Sequence, residues 1–182
     1  SPLTLVGRDL PFRTLPPSLN GQSVEIEYPD RSAKTYTTAL IGQHQAINTA
    51  VVLGVMERLR QADFAISETA IREGLWNVNW PGRMEIIDQN PTVLLDSAHN
   101  GESGRWLREN VQKMFPQRPV VLVYGSKANK DIDSTLGEMI LMADYLILTR
   151  SAYPATVDPD QLIEFARHVG FNGPIEAIAD LS

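Results

Sequence analysis

Cysteine is absent from the 182 residues. That excludes disulfides and thiolate metal sites, and it is compatible with a reducing compartment. Basic charge is scarce. Sixteen Lys and Arg stand against 22 Asp and Glu, giving a net charge of -6 and a pI near 5.0. Proteins that grip a phosphate backbone normally show a basic stripe, so nucleic acid is not an expected partner. No apolar run reaches the roughly 20 residues of a membrane span, and the opening carries no signal-peptide pattern. A cytoplasmic location without a membrane partner is the expectation. The chain opens Ser1-Pro2-Leu3 without a Met, as a segment cut from a longer protein would.

Several chemical signatures are missing too. Gly101-Glu102-Ser103-Gly104 has the wrong spacing for G-x-G-x-x-G, so a nicotinamide site is not expected. No G-x-x-x-x-G-K-[ST] occurs, so this chain by itself has no P-loop for a triphosphate. No G-x-S-x-G elbow appears. Asp96 and His99 could begin a metal site, but the only other histidines are His44 and His168, on separate segments. A full ligand set is not visible, and no metal-binding residue is assigned.

What is present is ample apolar material, 43% of the chain, enough for a core. Ser23–Tyr28 and Lys34–Leu40 alternate like strands around a turn at 29–33. The stretch from His44 to Gln61 reads as a mostly buried helix, with Ile47, Ala50, Val51, Gly54, Val55 and Leu59 on one face. A second helix is predicted over Ser67–Leu75, with Ser67 as its N-cap. Pro81-Gly82 is strong turn punctuation, and a domain boundary is placed there.

Beyond it the pattern changes. Residues 84–87 and 92–96 read as a strand pair. Helices follow at Glu102–Phe115, Ile132–Met142 and Pro159–Val169, and apolar strands lie between them. Unbroken apolar strands separated by helices indicate an α/β fold, a mostly parallel Rossmann-like sheet covered on both faces. The final residues, Ile175 to Ser182, read as the start of a further helix, with the end of the domain cut away.

In open α/β sheets the ligand lies beyond the carboxyl ends of the strands. Three strand ends carry candidates: Asp96 with His99 and Asn100, then Ser126, Lys127, Lys130 and Asp131, then Thr149-Arg150. If the strands are parallel, these groups share one edge. Asp96 could accept ribose hydroxyls or serve as a turn acid. His99 could meet a phosphate or carboxylate, or bond its own loop. Asn100 reads as a helix cap. Lys130 could neutralise an anion or simply be solvated. Arg83 could clamp phosphate or stack on a base, or be an ordinary surface arginine.

Four stretches in order, from Ile41 through His44-Gln45 to Asn48, then Trp80-Pro81-Gly82-Arg83, then Asp96-Ser97-Ala98-His99-Asn100, then Lys130-Asp131, resemble the folylpolyglutamate synthase / dihydrofolate synthase family of the Mur ligase superfamily. The resemblance runs from about Leu40 to Thr149. It implies an ATP-dependent ligase that adds glutamate to folate or dihydropteroate through an acyl phosphate. The cofactors it implies are ATP and Mg2+, with the magnesium ligands mainly outside this stretch. Its partners would be ATP, L-glutamate and the folate substrate, in a monomer.

The resemblance also implies residue roles. Asn48 would contact the adenine side of ATP, Arg83 the phosphates and Asp96 the nucleotide. His99 and Lys130 would stand with the catalytic groups. Residues 1–78 would be the tail of the central ATP-binding domain, and 79–182 the Rossmann-like C-terminal domain. The family often has Pro-Arg-Ala after the third strand. Here Pro154 is followed by Ala155 and Thr156, and the nearby Arg150 is displaced. Without the P-loop, the chain alone is expected to be inactive. Other readings are a ligase of peptidoglycan precursors or of the cyanophycin type, a stand-alone nucleotide-binding module, or a metal-dependent hydrolase using Asp96 and His99.

Overall fold

A computed structural model describes residues 3–179. Ser1-Pro2 of the opening and Asp180–Ser182 of the last expected helix lie outside the described residues. The chain divides into two compact units, with the division between Asp96 and Ser97. The Pro81-Gly82 turn lies inside the first.

The first unit begins with a three-stranded antiparallel sheet of β1 (Phe12–Thr14), β2 (Gln22–Glu27) and β3 (Ala33–Thr38). The predicted pair is β2 and β3, joined through the expected turn. Strand β1 is an addition that three residues could not announce. Val24, Ile26 and Tyr36 alternate inward and are fully buried. Helices α1 (Gln43–Gln61) and α2 (Glu68–Trp76) pack on them through Ala46, Ala50, Leu53, Ile71 and Leu75. Ser67 caps α2 by accepting the Ala70 N–H. A short antiparallel ribbon, β4 (Glu85–Gln89) with β5 (Thr92–Leu95), closes the unit.

Helix α1 corrects the sequence reading. It is not mostly buried. Its inward face is Ala46, Thr49, Ala50, Leu53 and Gly54, while Ile47, Val51, Val52 and Val55 are exposed. Small residues let the helix backbone approach the sheet, and they carry little weight in a hydrophobicity pattern. Ala50 and Gly54 of the predicted face do turn inward, but Ile47, Val51 and Val55 drew the rest of it to the wrong side.

The second unit holds a three-stranded parallel sheet in the order β6 (Val121–Tyr124), β7 (Tyr145–Thr149), β8 (Ile175–Ile178). Helices α3 (Gly101–Met114), α4 (Ile132–Met139) and α5 (Pro159–His168) accompany it, and a single 3-10 turn extends α4 through Met142. Leu146, Leu148, Leu136 and Leu162 form its fully buried centre. The other face of the sheet is open, because Val121 and Val123 are 59% and 60% exposed. The expectation of cover on both faces is therefore corrected. An apolar strand shows that cover is favourable, not that this chain supplies it.

Two further expectations change. Ile175–Ile178 is a strand and not the start of a helix, because it adds in parallel register to β7. The strand ending at Asp96 does not join the parallel sheet. Among the described residues it pairs only with β4. The α/β class stands, as a small parallel sheet with helices plus two small antiparallel sheets.

Candidate functional site

The first unit places three of the expected nucleotide contacts around the start of α1. Asn48 lies one turn into the helix and is exposed. Its amide Nδ2 donates to Gln45 Oε1 at 3.1 Å. Gln45 Nε2 in turn lies 3.0 Å from His44 Nε2. An amide nitrogen can only donate, so that bond requires an unprotonated ring nitrogen. The electrostatics agree. Burial pushes the His44 pKa down, Asp96 pulls it up, and Arg83 pushes it down again. His44 therefore feels both Arg83 and Asp96. The relay uses one Asn48 amide hydrogen; an asparagine side chain has a second one and an acceptor oxygen besides.

Arg83 and Asp96 are positioned by the turn before β4. The chain passes through Gly82 at φ 71 and Met84 at φ 49. Gly82 donates its N–H to Glu85 Oε2 at 2.8 Å, and Met84 donates its N–H to Asp96 Oδ2 at 2.9 Å. Met84 is 1% exposed, so this carboxylate satisfies a buried backbone donor in a left-handed turn. Asp96 is thus a turn acid by its bonding, within reach of the field around His44.

Beside these groups is a cavity of about 530 Å³. Asn48, Gln45, Thr49 and Arg83 supply polar groups to its lining. Val52, Met56, Ile71, Leu75 and Trp80 supply apolar surface. Volume and chemistry match a small-molecule site, which is mostly apolar with a few placed polar groups. Sequence reasoning named Asn48 and Arg83 but not the cavity, nor Gln45, Thr49 or Trp80 as its lining. The available signal was the spacing of Gln45, Asn48, Thr49, Val52 and Met56, which puts them along one side of α1.

His99 and Lys130 belong to the second unit. His99 is exposed at the entry to α3. Its N–H donates to Ser103 Oγ at 3.0 Å, and its Nδ1 lies 3.0 Å from the Ser97 carbonyl. Asn100 is the expected cap, accepting from the Ser103 N–H at 2.8 Å in a capping box. Lys130 is exposed in the turn leading to α4. The adjoining Asp131 caps α4 by accepting from the Ser134 N–H. Lys127 lies over the Tyr153 ring at 4.5 Å, and Arg150 pairs with Asp158 at 3.1 Å. Strands β6 and β7 are parallel, so the segments at 125–131 and 149–150 leave the sheet at one edge. Among the described residues no group of three or more His, Asp or Glu side chains is placed to hold a metal ion. Nor, among the described residues, is any helix long and apolar enough to cross a membrane.

Comparison with known proteins gives consistent kinship. Residues 82–182 match the family described as Mur ligase, glutamate ligase domain. The dihydrofolate synthase/folylpolyglutamate synthase of Bacillus subtilis is 29% identical over 164 residues, 80% of this chain and 38% of that protein. A folylpolyglutamate synthase structure from Thermotoga maritima superposes with a TM-score of 0.77 at 27% identity, covering 95% of this chain and 40% of that one. The Mycobacterium tuberculosis folylpolyglutamate synthase complexed with ADP and AMPPCP gives a TM-score of 0.78 at 25% identity, covering 92% and 38%. The chain spans about two fifths of the length of these relatives. It is a homologue of folylpolyglutamate and dihydrofolate synthases and belongs to the Mur ligase family through its glutamate ligase domain.

Proposed function

We propose that this chain is one part of an ATP-dependent amide ligase that adds L-glutamate to folate or dihydropteroate. A substrate carboxylate oxygen takes the terminal phosphoryl group of ATP and ADP leaves. The amine of glutamate then attacks the acyl carbon, and phosphate departs as the amide forms. The observation that carries the reading is the cavity of the first unit, where Asn48 and Arg83 share one lining and Asp96 holds the turn that follows Arg83. The M. tuberculosis relative binds ADP and AMPPCP, which supports an adenine nucleotide as the occupant.

In this reading the Asn48 amide meets the edge of the base, since Asn is suited to paired bonds with adenine. Arg83 neutralises phosphate. Asp96 holds the turn that presents Arg83, and its carboxylate accepts a hydrogen bond from ribose. His99 and Lys130 stand for the acidic substrate in the second unit. Mg2+ normally takes one or two carboxylates together with substrate phosphates, so it would arrive with ATP, not in a cage of this chain's residues.

The test uses this polypeptide with ATP, folate and glutamate. Calorimetry should register ADP binding that weakens at least tenfold in Arg83→Ala, while glutamate-dependent ADP release stays at background. Absence of ADP binding overturns the nucleotide reading. Clear turnover overturns the view that the chain supplies only part of the machinery.

A further inference from the structure

Trp80 is 63% exposed, although tryptophan is among the most buried side chains on average. It nevertheless lines the cavity, alongside Val52 and Met56. Trp80 and Arg83 flank Pro81-Gly82. Gly82 sits at φ 71, a conformation that glycine adopts without penalty. This turn brings both ends of a four-residue stretch to one cavity wall. One motif thus supplies a large aromatic surface and a cation to the same space. Asn48, on the same lining, supplies a hydrogen-bonding edge. An amide edge reads the rim of a flat heterocycle and does nothing for its faces. Those faces are best covered by an aromatic side chain.

We propose that Trp80 is a base-stacking residue of this cavity, buried only when a planar heteroaromatic ring occupies it, and that it sets a preference for such rings. The inference rests on reading the cavity as a nucleotide site. It adds a binding residue and a ligand class: planar heterocycles whose edge suits Asn48.

The experiment is calorimetric titration of the chain with ADP, using Trp80→Ala, Trp80→Phe and the control Trp76→Ala. Trp76 is also exposed, at 54%, but does not line the cavity. Trp80→Ala should weaken ADP binding on the order of tenfold with an unchanged urea midpoint. Trp80→Phe should stay within about threefold of the parent, because a phenyl ring still stacks. Trp76→Ala should bind like the parent. An ADP affinity unchanged in Trp80→Ala while the parent binds overturns this inference and leaves the nucleotide reading standing. A parent chain that binds no ADP overturns the nucleotide reading and this inference with it.

Discussion

Replacing Asp96 separates its bonding in the turn from any contact it makes with a ligand. Its Oδ2 accepts the Met84 N–H at 2.9 Å, and Met84 is almost fully buried at φ 49. Asp96→Ala removes the acceptor and strands a buried backbone donor. That costs roughly 1–3 kcal/mol for the unmade bond. A left-handed non-glycine residue adds strain on the order of 1 kcal/mol that the surroundings must hold in place. The carboxylate is only half-buried, so water can partly replace it, and about 2 kcal/mol is expected. Asp96→Asn keeps an oxygen acceptor and loses the charge. A neutral bond is about half as strong as a charge-assisted one, so about 1 kcal/mol is expected.

The assay is urea unfolding followed by tryptophan fluorescence in a Trp106→Phe background. Of the three tryptophans, Trp76 and Trp80 then report on the first unit alone. With a urea slope of about 1 kcal/mol per M, the midpoint should fall by about 2 M for alanine and about 1 M for asparagine. A shift below about 0.3 M in Asp96→Ala would refute the idea that this carboxylate holds the turn.

Three other outcomes follow from the same reasoning. A Cβ at Gly21, which sits at φ 123, would overlap the Thr38 carbonyl, so Gly21→Ala should cost about 3 kcal/mol or more and lower the first unit's urea midpoint by several tenths of its value. Asn100→Ala should cost about 1 kcal/mol through loss of the α3 cap, seen as a drop of a few degrees in thermal unfolding. The pKa of His44 is lowered on folding below its ordinary 6.5, so the unfolded state takes up the proton first as pH falls. Stability that is present above pH 6.5 should therefore decline as pH drops toward the lowered folded value. His44→Gln should flatten that decline in urea midpoints measured at about pH 5 and about pH 7.5.

Much of the fold was legible because local chemistry carried it. Ser67 and Asn100 have side chains that accept backbone N–H groups at helix starts, a preference set within four residues. The β2–β3 hairpin followed from alternation around a turn. Strand β8 was read as a helix because four residues carry no decisive period, and only pairing with β7 settles them. The open face of the parallel sheet was hidden for a related reason. Val121 and Val123 look the same in sequence whether something covers them or not.

The site divides in the same way. Residue type and position singled out Arg83 and Asp96 as candidates, because a guanidinium and a carboxylate have fixed donors and acceptors wherever they sit, while Asn48 came from the family resemblance alone. Sequence also determined the kinship, since ordered motifs survive changes of packing. Only the tertiary structure decided that Arg83 and Asn48 line one cavity, that Asp96 ties down the Met84 turn, and that Arg83 and Asp96 fall in the first unit while His99 and Lys130 fall in the second. Those relations depend on distances between residues far apart in the chain. Such distances are set by how α1, packing through Ala46, Ala50 and Leu53, lies on the sheet, and no local pattern encodes them.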